Sequence, residues 1–471
     1  MFRSLDRKKL ALLGVVAAAL TAGLGVARLA SAGTFTVNSP VDPGDGVCTA
    51  SECTLREAIS AANTNPGPDV INFDPTVFSP ATITLTSPLP PVTDAATTIT
   101  GAGATVTVDG SLLNPAGAFE GVLQVLAPSA GFKGFTIDNA PNFGILVSPA
   151  GPVTSLSVTN MIIDAEIQYG VSVFSESNIR NVTVSGSTIS GTGGVSITGV
   201  GSRRILIENN VSIAASPLAE AIGIFGGNNT GVSITGNGSI NGEVFIHSLG
   251  DSNSDISVRG NAHISGGVVL SAATNDGVSI RGNDAISGRG VAILGDNNSG
   301  ISISDNESIT GGSNGVSISG ISGASTSNSH IAIRGNGSIS SGGSGVVLDG
   351  GSNSSISVRG NESISGNTGI FISGGNQGPL NVISNNRVQA SVAGFGIGIS
   401  LFGSDLNQVK SNDVVGFSLG IALQAESNFN TIRRNVVGVT SDADLFWDGT
   451  GTGNRWIRNE CDTSLPAGLC E

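Results

Sequence analysis

ISVRGNAHIS (256–265), VSIRGNDAIS (278–287), ISISDNESIT (301–310), IAIRGNGSIS (331–340) and ISVRGNESIS (356–365) are five copies of one pattern. Each has two aliphatic residues flanking a small one, a short turn closing on Asn, and a third, isolated Ile. The ladder residues Asn261, Asn283, Asn306, Asn336 and Asn361 recur every 22 to 30 residues. A period of this size, with each unit too short to bury its own apolar face, predicts a solenoid.

The Asn series extends back through Asn237 and Asn210 to Asn160 and Asn139, with Ser187 filling one gap, and forward through Asn386, Asn412 and Asn435 to Asn459. Each unit holds a second alternating pair, as in Gly267-Val-x-Leu270, Gly290-Val-x-Ile293 and Gly369-Ile-x-Ile372. Period-two alternation over three to five residues predicts short strands with one face inward. Three such strands per turn, stacked at about 4.8 Å, give an all-β, right-handed parallel β-helix of about 12–14 coils over residues 97–460. A second series, Asn253, Asn275, Asn298, Asn328 and Asn353, precedes the same strands. At tight corners Asn tolerates a left-handed backbone and its amide bonds the next coil, so both series are expected to be architectural.

The ends differ from the middle. MFRSLDRKK, an apolar stretch at 10–27 and Ala30-Ser31-Ala32 predict a signal peptide over 1–32, cleaved before Gly33. Its removal, with five basic residues and Asp6, takes the formal charge from −14 to −18. Nucleic acid is thereby disfavoured as a partner, and no membrane span is expected after cleavage. Cys48 and Cys53 form one close pair and Cys461 and Cys470 another, which in an exported chain predicts two local disulfides, the second closing a tail at 461–471. Residues 33–96 do not repeat. Thr54 and Glu57 form a capping box ahead of Leu55, Ala58, Ile59 and Ala62, predicting a short amphipathic helix that caps the solenoid.

TFTVNSPVDPGDGVCTASECTLREAISAAN resembles the CSLREA domain, an N-terminal module of secreted bacterial proteins that often continue as β-helix repeats. The motif here runs Cys53-Thr-Leu-Arg-Glu-Ala58, with Thr54 in place of Ser, which keeps a hydroxyl at the helix cap. The resemblance covers residues 34 to about 75 and implies a secreted, extracellular or cell-surface setting without implying a reaction.

Enzymatic chemistry is not legible in the sequence. Parallel β-helices include polysaccharide-cleaving enzymes, whose acid–base chemistry needs convergent carboxylates, yet no paired Asp, Gly-His-Gly or Arg-Ile-Lys pattern occurs. His247, His263 and His330 occupy unrelated positions in their coils. Glu176, Asp251, Asp296, Asp405 and Glu426 precede turn residues but skip coils, so no metal site is expected. Gly-rich runs such as 101–103 lack the strand-to-helix context of a phosphate loop, and no cofactor is expected.

The remaining feature lies on the strand before each ladder Asn. Ser257, Ser279 and Ser357, with Ser233 and Ser302, point outward, and two residues on so do Arg259, Arg281, Arg334, Arg359, Lys410 and Arg433. Stacking turns these into a hydroxyl column beside a cationic one, suited to an acidic polysaccharide or cell-surface glycan. Asp284, Glu307, Glu362 and Asp413 are expected to compete for the same cations. The function expected is that of a non-catalytic surface, matrix or adhesion module. A polysaccharide lyase or glycoside hydrolase is the alternative, and ice binding a third.

Overall fold

The computed structural model of the protein describes residues 31–114, 120–217, 219–321, 326–375, 378–439 and 441–470. The predicted signal segment lies, up to residue 30, outside them. The described chain is a right-handed parallel β-solenoid of about 15 turns with one helix, Leu55–Thr64.

One turn shows the design. Strand Ser252–Arg259 leads through the Gly260–Asn261 corner to His263–Ile264, and a second corner leads to Val268–Ser271. The next turn repeats this as Thr274–Arg281, Ala285–Ile286 and Val291–Leu294. Val258 pairs with Ile280, Ile264 with Ile286 and Leu270 with Ile293, all in parallel register. The three strands generate three faces. The second face is a continuous 15-stranded sheet, and the first and third are linked in a 32-stranded one because Ser344–Ser354 runs through both.

The interior is filled by stacked aliphatics. Val258, Ile280, Ile303, Ile333, Val358, Ile383, Val409 and Ile432 form one column and are fully buried. Ile264, Ile286, Ile309, Ile339 and Ile364 form another. Each contributes roughly 1.5–3 kcal/mol by burial, against about 1 kcal/mol net for a hydrogen bond. The aliphatic columns therefore drive stacking, and the Asn ladders fix where the corners fall.

Those ladders are continuous. From Asn210 to Asn459 each Asn donates its Nδ2 to the Oδ1 of the Asn one coil on, as for Asn261 to Asn283 and Asn283 to Asn306, both at 2.9 Å. Each Nδ2 also reaches a strand carbonyl one coil back, as from Asn283 to Val258 at 3.1 Å. The second series runs from Asn229 to Asn353 in the same way. A third, Asn381, Asn407, Asn430 and Asn454, takes over in the last coils. Ser187 stands in the first ladder, but Asn160 and Asn139 do not. The residue that donates its N–H to Ser187 Oγ is Met161, and Asn160 is the left-handed corner residue before it (φ 51). Asn139 also has a left-handed backbone (φ 50), within the second-face strand Thr136–Ala140.

At the N-terminal end Thr34–Val37 pairs with Val70–Phe73, which pairs with Thr97–Thr100, so residues before 97 already contribute stacked strands. These strands account for rungs beyond the 12–14 counted from the repeat. The helix carries the expected capping box and buries Leu55, Ala58, Ile59 and Ala62 against the first coil. Disulfides join Cys48 to Cys53 and Cys461 to Cys470. In the tail, Ser464–Leu465 pairs with Leu445 and Phe446.

Candidate functional site

Register brings the sequence-predicted columns together on the first face. Ser257 pairs with Ser279, Ser279 with Ser302, Ser302 with Ala332 and Ala332 with Ser357. Alongside, Arg259 pairs with Arg281, Arg281 with Ser304, Ser304 with Arg334 and Arg334 with Arg359. Ser384, Lys410 and Arg433 continue the cationic column. A parallel sheet enforces this alignment: residues on the same face of successive strands stand one inter-strand step, about 4.8 Å, apart.

The two interruptions do not open gaps. Ser304 and Ser384 are each 1% exposed although the register turns them outward, so neighbouring side chains close over them. Arg259, Arg281, Arg334 and Arg359 are exposed, whereas Lys410 and Arg433 are half-buried.

The acids that follow the ladder Asn do not neutralise the strip. Arg281 Nε pairs instead with Asp305 Oδ2 at 3.1 Å, and Asp413 pairs with Arg387 at 3.3 Å in its own column. Among the described residues Arg259, Arg334, Arg359, Lys410 and Arg433 make no ion pair. Arg433 Nε is buried without a hydrogen-bond partner. The structure also adds Arg434, Arg455 and Arg458, which sequence alignment by the ladder Asn passed over. Arg455 stacks on Thr431 in the hydroxyl column, and Arg434 donates its backbone N–H to Ile457 O beside Arg458.

Residues 252–462 match the family described as periplasmic copper-binding protein (NosD). The match spans less than half of the chain and includes the cationic column from Arg259 to Arg433. No curated protein matches the chain.

Copper, which that description implies, does not fit the residues present. It is held by imidazole, thiolate and thioether donors. All four cysteines are in disulfides, and Met161 is 1% exposed within the core. His247 sits on the third face between Phe225 and Ser271. His263 sits on the second between Ser239 and Ala285, and His330 at a left-handed corner of the first. Among the described residues the group of three acids Asp45, Glu52 and Glu57 lies at the N-terminal end, and Glu57 there accepts from Thr54 N at 2.8 Å and Gly46 N at 2.6 Å.

A second constellation, not foreseen from the sequence, lies on the third face. Glu220 and Glu243 are paired in register. The Tyr169 ring lies over Gly193, one coil before Glu220, while Arg289 Nη1 reaches Glu243 Oε1 at 3.1 Å. Burial raises the Glu243 pKa above the usual carboxylate range. Arg289 opposes that rise and the charge of Glu220 adds to it. Burial likewise raises Tyr169, reinforced by Glu220. Beside Glu243 and Arg289 is a cavity of about 610 Å³, bounded by Pro217, Asn241, Gly242 and Gly266. Phe225 and Phe245 meet edge-on at 5.7 Å, and His247 stacks on Phe245 at 5.5 Å. On the same face Phe245, Val269, Ala292, Ser317, Val347 and Phe371 stand in register, an apolar column interrupted at Ser317. Tyr169 and Glu220 are 51 residues apart in the sequence. Only a structure that lays Tyr169 across a glycine brings them together.

Proposed function

We propose that the protein is an exported, non-catalytic β-helix that holds an acidic glycan along its first face, as a surface, matrix or adhesion module. The observation that carries this reading is the in-register cationic column from Arg259 to Arg433, left largely unpaired and flanked by serine hydroxyls as far as Ser357. Guanidinium groups bind carboxylate or sulfate in bidentate fashion, and serine hydroxyls bond sugar hydroxyls. The signal-like N-terminus, the CSLREA resemblance and the periplasmic setting named for the matching family support export. The copper named in that same description is not carried over, because the described residues do not bring its donors together.

Titration calorimetry with a polyuronate tests the proposal. Salt-sensitive binding is expected, with little affinity for a neutral glucan. Replacing Arg259, Arg334 and Arg359 together by Ala removes three contacts of about 0.5–1 kcal/mol each, weakening binding roughly 10- to 100-fold. Unchanged affinity in that variant would overturn the strip.

The Glu220–Glu243 pair favours a second reading, glycoside cleavage with Glu243 as proton donor. Release of reducing ends from a polysaccharide, abolished by Glu243→Gln, is the result that would replace binding with catalysis.

A further inference from the structure

We propose that cleavage of the Ala32–Gly33 bond creates an α-ammonium at Gly33 that docks on the buried carboxylate of Asp69, so that processing itself completes the N-terminal end of the solenoid. This goes beyond the glycan reading and rests only on export.

Asp69 is fully buried. Its Oδ1 accepts from Gly33 N at 2.7 Å and from Asn65 Nδ2 at 2.7 Å, while its Oδ2 is buried without a partner. Asp94 Oδ2 is a second buried oxygen without a partner. Burial raises the Asp94 pKa, and the charge of Asp69 adds to the rise, although backbone hydrogen bonds from Gly67 and Ala95 oppose it. Among the described residues no cation pairs with either acid. A buried carboxylate with only neutral donors is costly, and a positive charge at this point would offset that cost.

The atom placed to become positive is Gly33 N. In the uncleaved chain it offers Asp69 one amide hydrogen and no charge. Hydrolysis adds one water, whose oxygen leaves on Ala32 as part of a carboxylate and whose two hydrogens end on Gly33 N. The ammonium then has two further donors beside the unpartnered Asp69 Oδ2. Glycine is required here: a Cβ at residue 33 would lie 2.8 Å from Asn65 Nδ2 and 3.0 Å from Asp69 Oδ1. Among the described residues cleavage removes the peripheral contacts Ser31 N to Pro66 O at 3.1 Å and Asn65 Nδ2 to Ser31 O at 2.8 Å.

Two measurements test this. Mass spectrometry of the exported protein is expected to give Gly33 as first residue; another start would overturn the site of processing. Chains beginning at Gly33 or at Ala32 are then compared, each with Asp69 or with Asp69→Asn. The Gly33 chain is expected to unfold several degrees higher, and that difference to vanish with Asp69→Asn. Coincident midpoints with an authentic Gly33 start would overturn docking while leaving export intact. Independently of any substitution, acylation of the Gly33 amine in the folded protein is expected to be at least about tenfold slower than in the unfolded chain, the effect of one unit of raised pKa. Equal rates would likewise overturn docking.

Discussion

Asn283 accepts from the backbone N–H of Asn261 at 3.0 Å and from its Nδ2 at 2.9 Å, and donates to Val258 O and to Asn306 Oδ1. All four interactions are buried, and neither water nor a neighbour can replace them. Asn283→Ala is therefore expected to cost about 2–4 kcal/mol, read as a lowered urea midpoint. Asn283→Asp keeps the shape but sets an acceptor against Val258 O and Asn306 Oδ1, and should cost at least as much near neutral pH. A midpoint within experimental error of the parent in either variant would contradict the ladder's role. These roles were legible in the sequence because corner and spacing carry the same residue. Asn160 and Asn139 were misplaced because Asn also serves as a left-handed residue one position from the ladder or inside a strand, and composition does not separate those uses.

At the scale of the element, the helix Leu55–Thr64 begins on a buried carboxylate. Glu57 is 3% exposed, and burial alone would raise its pKa. Hydrogen bonds from Thr54, Gly46 and Val47 more than offset this and hold it below the ordinary 4.5. A folded pKa below the unfolded one means that stability is present above about pH 4.5 and is lost as pH falls through the folded value. Glu57→Gln cannot titrate and satisfies fewer donors. It should melt below the parent at pH 7, and the gap should narrow as pH falls from 5 to 3. A constant gap in melting temperature across that range would show that Glu57 is not the titrating group. The capping box was readable from four residues, Thr54 to Glu57. Strands Val70–Phe73 and Ala81–Thr84 were not readable as coils, because the helix and a disulfide loop interrupt the period and no ladder Asn marks their corners. The Ser/Arg columns were legible for the opposite reason: where register is regular, sequence spacing becomes spatial adjacency. The Tyr169–Glu220–Glu243–Arg289 row escaped because its outer members each reach past an intervening coil.

At the scale of the whole molecule, a basic strip persists on a chain whose formal charge is −14. The general field repels a polyanion, so attraction is confined to the distance over which the strip outweighs it. At about 0.15 M salt that distance is near 8 Å. A ligand must therefore lie along the first face rather than approach any surface. The column from Arg259 to Arg433 contains eight rungs, counting Ser304 and Ser384, and so spans about 34 Å at 4.8 Å per step. Affinity for uronate oligomers is accordingly expected to climb with length and to level off once the chain reaches that span. Each added cationic rung supplies a contact made at little extra entropic cost, because the ligand is already tethered. Raising salt should weaken long oligomers more than short ones, since more cation–anion contacts are screened. Calorimetry over an oligomer series at two ionic strengths measures both effects. Affinity that is independent of length, or a plateau at one or two sugars, would mean that a single pocket, not the strip, holds the ligand. The cavity beside Glu243 would then be the place to look.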